Sequence, residues 1–550
     1  VKALTTGNVS TLNTAQVKAM TSDQIAVLTT AQLQAFSTTQ VQAIETSDVA
    51  AMTSTQIKAL SSTELSGMNT AQVAALTADQ IKSVTTAAVA GLSTTQVAGL
   101  TTGQVAALGT AQVQAMETAD VASLSAAQAQ ALSTAQVAAL TTSQVQAIST
   151  AGISGLTTDA VKGLSNSQLQ AITTAGVAAL TTTQVGALGT AQVAALTSTE
   201  TAALTTTQVQ ALSTAQVKAL EVGDLAAMST AQVAALTTTQ VGALTAGQVS
   251  NLTTDQVAAL TTAQVSVLSS AQVQALSTTQ VAALTTGQVA ALTTGSVKSL
   301  SEADVRALST SQVNALSTAG VAVMSTAQVA ALSSDQVAAF STAQVAALTT
   351  SEAGTLSAAQ AKALTTAQLE KLSTAQFSAI TASDLVSLNA TQMKALTTAQ
   401  VSKMTTAQVA ALTKDEVAGF TTAQVRALTT SQVGVITSAA LASLTTDQLA
   451  GFDTTQVSKL TTEQTQALTA KQVASLSSSQ LNALTSTQVQ ALNDTQVKAL
   501  TTGQVNALST TQVAALTTAQ VAGMESVDVA ALTSTQANAM STSQVAALTA

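Results

Sequence analysis

The stretch from Leu132 to Ala139, Leu-Ser-Thr-Ala-Gln-Val-Ala-Ala, decides the fold of this chain, because the same eight-residue pattern recurs throughout it. A large aliphatic residue or Phe occupies every eighth position from Leu4 to Leu548, without a slip in phase. We number each octad from this residue. Position 2 is then mostly Ser or Thr, position 5 mostly Gln and position 6 mostly Val. Strict spacing with variable identity is typical of stacked repeats.

A period of eight does not suit a long straight helix. An α-helix advances about 100° per residue, so an apolar stripe rotates by about 80° at each octad and cannot face one partner. A β-solenoid stays open as an alternative, because an even repeat is compatible with the strand period of two and Thr and Val favour strands. Against it, positions 1 and 6 would face opposite sides, and tight-corner residues are scarce.

The octad reads best as a short helix that restarts every eight residues. Ser133 is a preferred N-cap residue, and Gln136 follows three positions later, which is the spacing of a capping box. Leu132 and Val137 then stand at the two positions of a hydrophobic staple. We expect positions 1 and 6 inside, with Phe377 and Met393 as core variants of the Val position, and positions 3 and 7 in solvent. The Ala at position 8 should be partly buried.

We therefore predict an all-α fold, a continuous solenoid or superhelix of short capped helices with one helix per eight-residue repeat. No Pro, and no run of Gly or charge, interrupts the octads, so residues 1–550 form a single array in this prediction. The number of octads per superhelical turn is not readable from the pattern. Because the chain begins and ends inside an octad, we expect it to be a segment of a longer protein.

The composition excludes most catalytic chemistry. The chain has no His and no Cys, so it lacks the residues of a Ser-His-Asp or Cys-His arrangement and the favoured ligands of zinc. No phosphate-binding or dinucleotide-binding Gly motif occurs. The net charge of −9 offers no basic surface for nucleic acid. No run of about 18 apolar residues exists, so no transmembrane helix is expected. We predict no enzyme activity and no cofactor, calcium excepted.

One variation of the octad carries a candidate metal site. Glu replaces Ser or Thr at position 2 in four octads, and Asp replaces Gln at position 5 in the same four. The pairs are Glu45 with Asp48, Glu117 with Asp120, Glu221 with Asp224, and Glu525 with Asp528. A variant helix cap, with Asp favoured by the helix dipole, explains them structurally. The alternative is a carboxylate pair that binds Ca²⁺, which prefers oxygen ligands.

A chain rich in Thr, Ser and Ala, weakly acidic and free of Cys resembles the repeat regions of large bacterial surface proteins, namely adhesins, surface-layer proteins and extracellular-matrix filament proteins. The resemblance implies a secreted structural role at the cell surface or in a biofilm matrix, and it brings no site residues.

We expect an extracellular filament, sheath or surface fibre that self-associates, with any cell-surface attachment lying outside this segment. Two alternatives remain. The array is the stalk of an adhesin whose binding domain lies elsewhere, or its Thr rows bind ice or carbohydrate.

Overall fold

A computed structural model describes residues 1–548 of the chain. The chain divides into two units, Val1–Leu276 and Ser277–Ala550, and the described residues of each unit form an all-α solenoid. Within residues 1–548 there are 68 helices and no β-strand. One helix falls in each octad and begins at position 3, so helix αk begins at residue 8k − 2, from α1 at Thr6 to α68 at Thr542. The first unit holds α1 to α34, and the second holds α35 to α68.

Every helix is four to six residues long. The four-residue helices, which end at position 6, are α40, α44, α48, α54, α56 and α57. The five-residue helices, which end at position 7, are α1 to α5, α8, α11, α12, α20, α21, α24, α31, α33, α34, α36, α42, α50, α52, α55, α60, α62 and α65 to α67. The others have six residues and end at position 8.

Two extended residues separate one six-residue helix from the next. Helix α17 (Thr134–Ala139) begins after Ser133, whose backbone is extended (φ −71°, ψ 159°), and it ends before Leu140 (φ −61°, ψ 141°). The Ser133 hydroxyl accepts a hydrogen bond from the N–H of Gln136, and the Gln136 side chain accepts one from the N–H of Ser133. The predicted capping box is thus confirmed at this helix, and it recurs along both units.

Helices too short to be stable alone are held by packing along the array. Within each unit, a helix packs against the third helix after it, as α16 (Ala126–Ala131) does against α19 (Thr150–Gly155). This approach is close, because a Cβ added to Gly155 would lie 2.4 Å from the carbonyl oxygen of Ala126. Position 8 therefore meets the first residue of the helix three octads earlier, where Gly or Ala leaves room for the backbone.

The apolar residues at positions 1 and 6 form the core of each unit. Leu132 and Val137 are 3% and 0% exposed, and Phe377 and Met393 are buried in the Val position as predicted. Solvent reaches positions 3 and 7, as expected, but also positions 2 and 4. Position 5, which the capping box alone would place near the surface, is buried.

The all-helical structure confirms the predicted fold class, and the strands required by the β-solenoid alternative are absent from residues 1–548. None of the helices within these residues has the length and apolar character needed to cross a membrane.

Candidate functional site

The position-5 glutamines use both ends of their side chains. In α17 the Gln136 Oε1 atom accepts the N–H of Ser133 at 2.6 Å, while Nε2 donates to the carbonyl oxygens of Val105 and Leu108, each at 2.8 Å. Those two carbonyls lie at the end of α13 (Thr102–Ala107), four octads earlier in the chain. One amide therefore caps its own helix and fastens it to the previous superhelical turn.

We call the buried position-5 glutamines with these contacts the glutamine ladder. The same pair of acceptors, 31 and 28 residues back, recurs at Gln56, Gln208, Gln344 and Gln504. A short helix leaves N–H groups unbonded at its start and carbonyls unbonded at its end, and burying such groups is costly. One Gln side chain bonds an N–H at the start of its own helix and two carbonyls at the end of the helix four octads earlier, so a residue with both an acceptor and a donor is required.

The ladder also gives the length of a superhelical turn. Helices contact their third successors, whereas the ladder bonds reach four octads back. A turn therefore takes between three and four octads in each unit. Some polar side chains at position 7 form hydrogen bonds to the following superhelical turn. Gln34, Gln170 and Asn314 donate to position-8 carbonyls 25 residues later in the chain, at 2.9, 2.6 and 2.7 Å.

The first two predicted carboxylate pairs differ in their partners. In α6 (Thr46–Ala51) Asp48 accepts a hydrogen bond from the Ser22 hydroxyl at 2.6 Å, and Glu45 forms an exposed ion pair with Lys18 at 3.4 Å. In α15 (Thr118–Ser123) Asp120 accepts the backbone N–H of its own cap residue Glu117 at 3.3 Å. Burial raises the pKa of Asp120, the backbone hydrogen bond lowers it, and the charge of Glu117 raises it further.

The other two pairs, like the pair in α6, show no capping box. In α28 (Val222–Ala227) the Asp224 carboxylate accepts a hydrogen bond from the Ser198 hydroxyl at 2.9 Å, and Glu221 makes no side-chain cap bond. Burial raises the pKa of Asp224, the Ser198 bond lowers it and the charge of Glu221 raises it. In α66 (Ser526–Ala530) burial and then the charge of Glu525 raise the pKa of Asp528. The reciprocal hydrogen bonds of a capping box are therefore absent from these two octads.

Three buried side-chain oxygens within residues 1–548 lack a hydrogen-bond partner, and they lie in two packed helices. They are Oε1 of Glu200 and Oγ1 of Thr201 in α25 (Ser198–Ala203), and Oδ2 of Asp224 in α28. Thr201 stands in the Val position and is fully buried. An unpartnered buried polar atom costs about 1–3 kcal/mol, so these three oxygens lower the local stability of α25 and α28.

Glutamate at position 5 keeps the cap but loses the donor of the ladder. Glu352 in α44 (Thr350–Ala353) accepts the N–H of Thr349 at 2.5 Å, as a Gln would. It has no N–H to offer the carbonyls 31 and 28 residues back, which belong to Val321 and Met324. Burial raises the pKa of Glu352, while its hydrogen bonds to Thr349 lower it.

No group of three or more Asp or Glu residues that could hold a metal ion occurs within residues 1–548. Each predicted calcium pair would need ligands from the backbone or from hydroxyls, as Ca²⁺ prefers six to eight oxygens. The calcium hypothesis thus stays a prediction for all four pairs.

Reasoning from sequence missed the second bond of the position-5 glutamine. A capping box needs only an acceptor at this position, so Glu would serve as well as Gln. The strong preference for Gln in this chain was the available signal that its N–H₂ group is also used.

A family model of the ALTTAQ repeat matches segments along the whole chain. The matched residues are 1–30, 25–62, 41–78, 54–86, 78–110, 113–150, 166–198, 217–254, 257–294, 297–334, 321–350, 378–414, 494–526 and 521–550, which together cover more than half of the chain. A comparison with curated proteins finds no match. The repeat architecture is therefore shared with other sequences, and the match names no ligand or partner.

Proposed function

This chain belongs to the ALTTAQ repeat family, and from that premise we propose that it is a structural protein whose uniform solenoid forms or extends an extracellular filament, sheath or surface fibre. The glutamine ladder is the observation that carries the proposal. The same bond, from position 5 to the carbonyls of the previous turn, appears near the start of the first unit at Gln40 and late in the second at Gln536. Each further octad with Gln at position 5 can form the same hydrogen bonds, so the solenoid can lengthen without a new kind of contact.

The separation of core from surface supports the same proposal. Positions 1, 5 and 6 are buried and nearly constant, whereas positions 2, 3, 4 and 7 are exposed. Lys218 and Arg426 are exposed at position 7. A solenoid of this kind keeps its backbone while its surface changes, which suits a scaffold better than a catalyst. We propose no enzyme activity and no nucleic-acid partner.

Self-association and an extracellular location are parts of the proposal. Ser and Thr hydroxyls dominate the exposed positions 2 and 3, and charge is sparse, so little electrostatic repulsion opposes side-by-side contact. Solenoid surfaces that repeat along an axis favour contacts that do not close, and such contacts give fibres. Attachment to a cell surface, through a segment outside these residues, is also part of the proposal.

Electron microscopy and light scattering of the purified chain test the proposal. We expect regular polymers whose mass grows with protein concentration. A chain that stays monomeric at every concentration and ionic strength would contradict self-association and favour the stalk of an adhesin. Imaging of the complete protein would then show isolated rods, each with a distal globular domain.

A Thr-array that binds ice or carbohydrate is the second candidate. The exposed Thr hydroxyls favour it, but many position-2 hydroxyls already accept a cap bond, as Thr141 does from the N–H of Gln144 at 3.2 Å. Position-3 hydroxyls would have to form the binding rows. A thermal-hysteresis assay and glycan binding assays that give no signal would exclude this candidate.

A further inference from the structure

A gap in the glutamine ladder lies where Asp224 stands at position 5 of its octad. The adjacent rungs show what is missing. Gln216 donates to the carbonyls of Val185 and Leu188 at 2.9 and 2.8 Å, and Gln232 donates to those of Thr201 and Leu204 at 3.1 and 2.6 Å. By the same register, Asp224 faces the carbonyls 31 and 28 residues back, which belong to Val193 and Leu196.

The ionised side chain of Asp224, which occupies this rung, has hydrogen-bond acceptors and no donor. Asp224 is 5% exposed, and its Oδ2 atom has no hydrogen-bond partner. Its other oxygen, Oδ1, accepts the Ser198 hydroxyl at 2.9 Å. No side chain within residues 1–548 donates to the carbonyl of Leu196, because its usual donor would be residue 224 itself. In the register of the ladder, a carboxylate with one unpartnered buried oxygen therefore stands where the adjacent rungs place an amide donor.

The shorter side chain at this rung leaves room for a cation between the carboxylate and the carbonyls. Asp is shorter than Gln by one methylene group, about 1.5 Å along the chain. In the adjacent rungs the side-chain nitrogen touches the carbonyls, so the shorter side chain stops short of them. A cation bound by oxygens at about 2.3–2.6 Å on either side fits such a separation.

Within residues 1–548, neither Asp224 nor Glu221 forms an ion pair with a basic side chain. Glu221 is near enough to raise the pKa of Asp224 by its negative charge. In the related α6 unit, Lys18 pairs with Glu45 at 3.4 Å from 27 residues back in the chain. The residue 27 positions before Glu221 is Ala194, so no ammonium group takes that place here.

We propose that the space between α24 (Thr190–Ala194), α25 and α28 binds one hard divalent cation of the Ca²⁺ type. Its ligands are the carboxylates of Asp224 and Glu221, the carbonyl oxygens of Val193 and Leu196, and the hydroxyl of Ser198. Water completes the six to eight oxygens that Ca²⁺ prefers. The cation takes the role of the missing amide and joins two superhelical turns at this rung.

Titration calorimetry with CaCl₂ on the 550-residue chain, beside the Glu221→Thr/Asp224→Gln double variant, tests the proposal. This variant restores the consensus cap and rung, so it should fold at least as well. We expect one saturable Ca²⁺ site in the parent chain that is missing from the variant, and a rise in the parent's unfolding temperature on adding Ca²⁺ that the variant lacks. Mg²⁺ should bind more weakly, since it demands a tighter octahedral set of ligands.

Asp304→Gln is the matched control. Asp304 also stands at position 5, but it accepts both the N–H and the hydroxyl of Ser301 and has Ser rather than Glu at position 2. This control should keep the Ca²⁺ site of the parent chain. A parent chain with no saturable site would overturn the proposal, since the rung would then hold a proton rather than a metal ion. Equal binding by the parent and the double variant would overturn it too.

Discussion

Replacing Gln136 by Glu separates the two tasks of a ladder residue, because a carboxylate keeps the acceptor and loses the donor. The cap bond from the N–H of Ser133 should survive, while the carbonyls of Val105 and Leu108 lose their N–H donor. A buried acceptor left without its partner costs about 1–3 kcal/mol. A second effect adds to this cost, since the carboxylate oxygen then faces two carbonyl oxygens.

Hydrogen exchange followed by mass spectrometry is the suitable assay, because a repeat array need not unfold in one step. Peptides covering α13 and α17 should lose about 5- to 150-fold in protection at neutral pH, which corresponds to about 1–3 kcal/mol. Peptides more than one superhelical turn away should change little, since each turn contacts mainly its neighbours.

Two comparisons make the result specific. Ser133→Ala removes the hydroxyl cap but keeps the bonds of Nε2, so it should cost about 0.5–2 kcal/mol and affect α17 more than α13. In acid the carboxylate of the Gln136→Glu variant gains a proton that it can donate to a carbonyl, so the deficit of this variant should shrink. Unchanged protection of α13 in the Gln136→Glu protein would refute the view that this amide holds the two turns together.

Three further substitutions test other parts of the structure. Glu352→Gln should stabilise the second unit at neutral pH. Because the pKa of Glu352 is raised on folding, its contribution to the free energy of unfolding is complete below the ordinary pKa of 4.5 and is lost as the pH rises through the folded pKa. Thermal melts from about pH 4 to 8 should therefore show a smaller pH dependence in the variant. Gly155→Ala should cost about 1–3 kcal/mol by overpacking. Gly103→Ala, whose added Cβ would meet only the Thr101 hydroxyl at 4.0 Å, should gain about 0.5–1 kcal/mol in denaturant unfolding; equal effects would contradict the close approach at position 8. Thr201→Val should gain about 1–3 kcal/mol by removing an unpartnered hydroxyl, while Thr465→Val, which loses a 2.9 Å bond to the Thr461 carbonyl, should gain less, and calorimetry showing the reverse order would count against the assignment.

Much of the octad was readable from sequence because its signals are local. Ser133 and Gln136 specify a helix start within four residues, and Leu132 with Val137 marks the buried face. These features follow from spacing within one octad, so they needed no knowledge of the packing. The exposed position 4 was not anticipated, since Ala is compatible with both a buried and an exposed site.

The contacts between octads could not be predicted from the sequence, because they depend on the number of residues in one superhelical turn. Nothing in the octad pattern predicts that Gln136 donates to the carbonyl of Leu108 rather than to one that lies one octad closer in the sequence. The candidate calcium pairs suffered from the same limit. Glu221 and Asp224 were found by their departure from the pattern, but the carbonyls opposite them come from a turn that only the structure identifies.

Cysteine cross-linking directly measures how many residues separate neighbouring positions on successive superhelical turns. The chain suits this method because it contains no Cys. A Cβ added to Gly163 would lie 2.5 Å from the side chain of Thr134, 29 residues earlier. The paired variant Thr134→Cys/Gly163→Cys should therefore form an intramolecular disulfide readily. The pairs Thr134→Cys/Gly155→Cys and Thr134→Cys/Ala171→Cys, one octad nearer and one octad farther, should not. Preferential cross-linking of either control pair would contradict a superhelical turn of three to four octads.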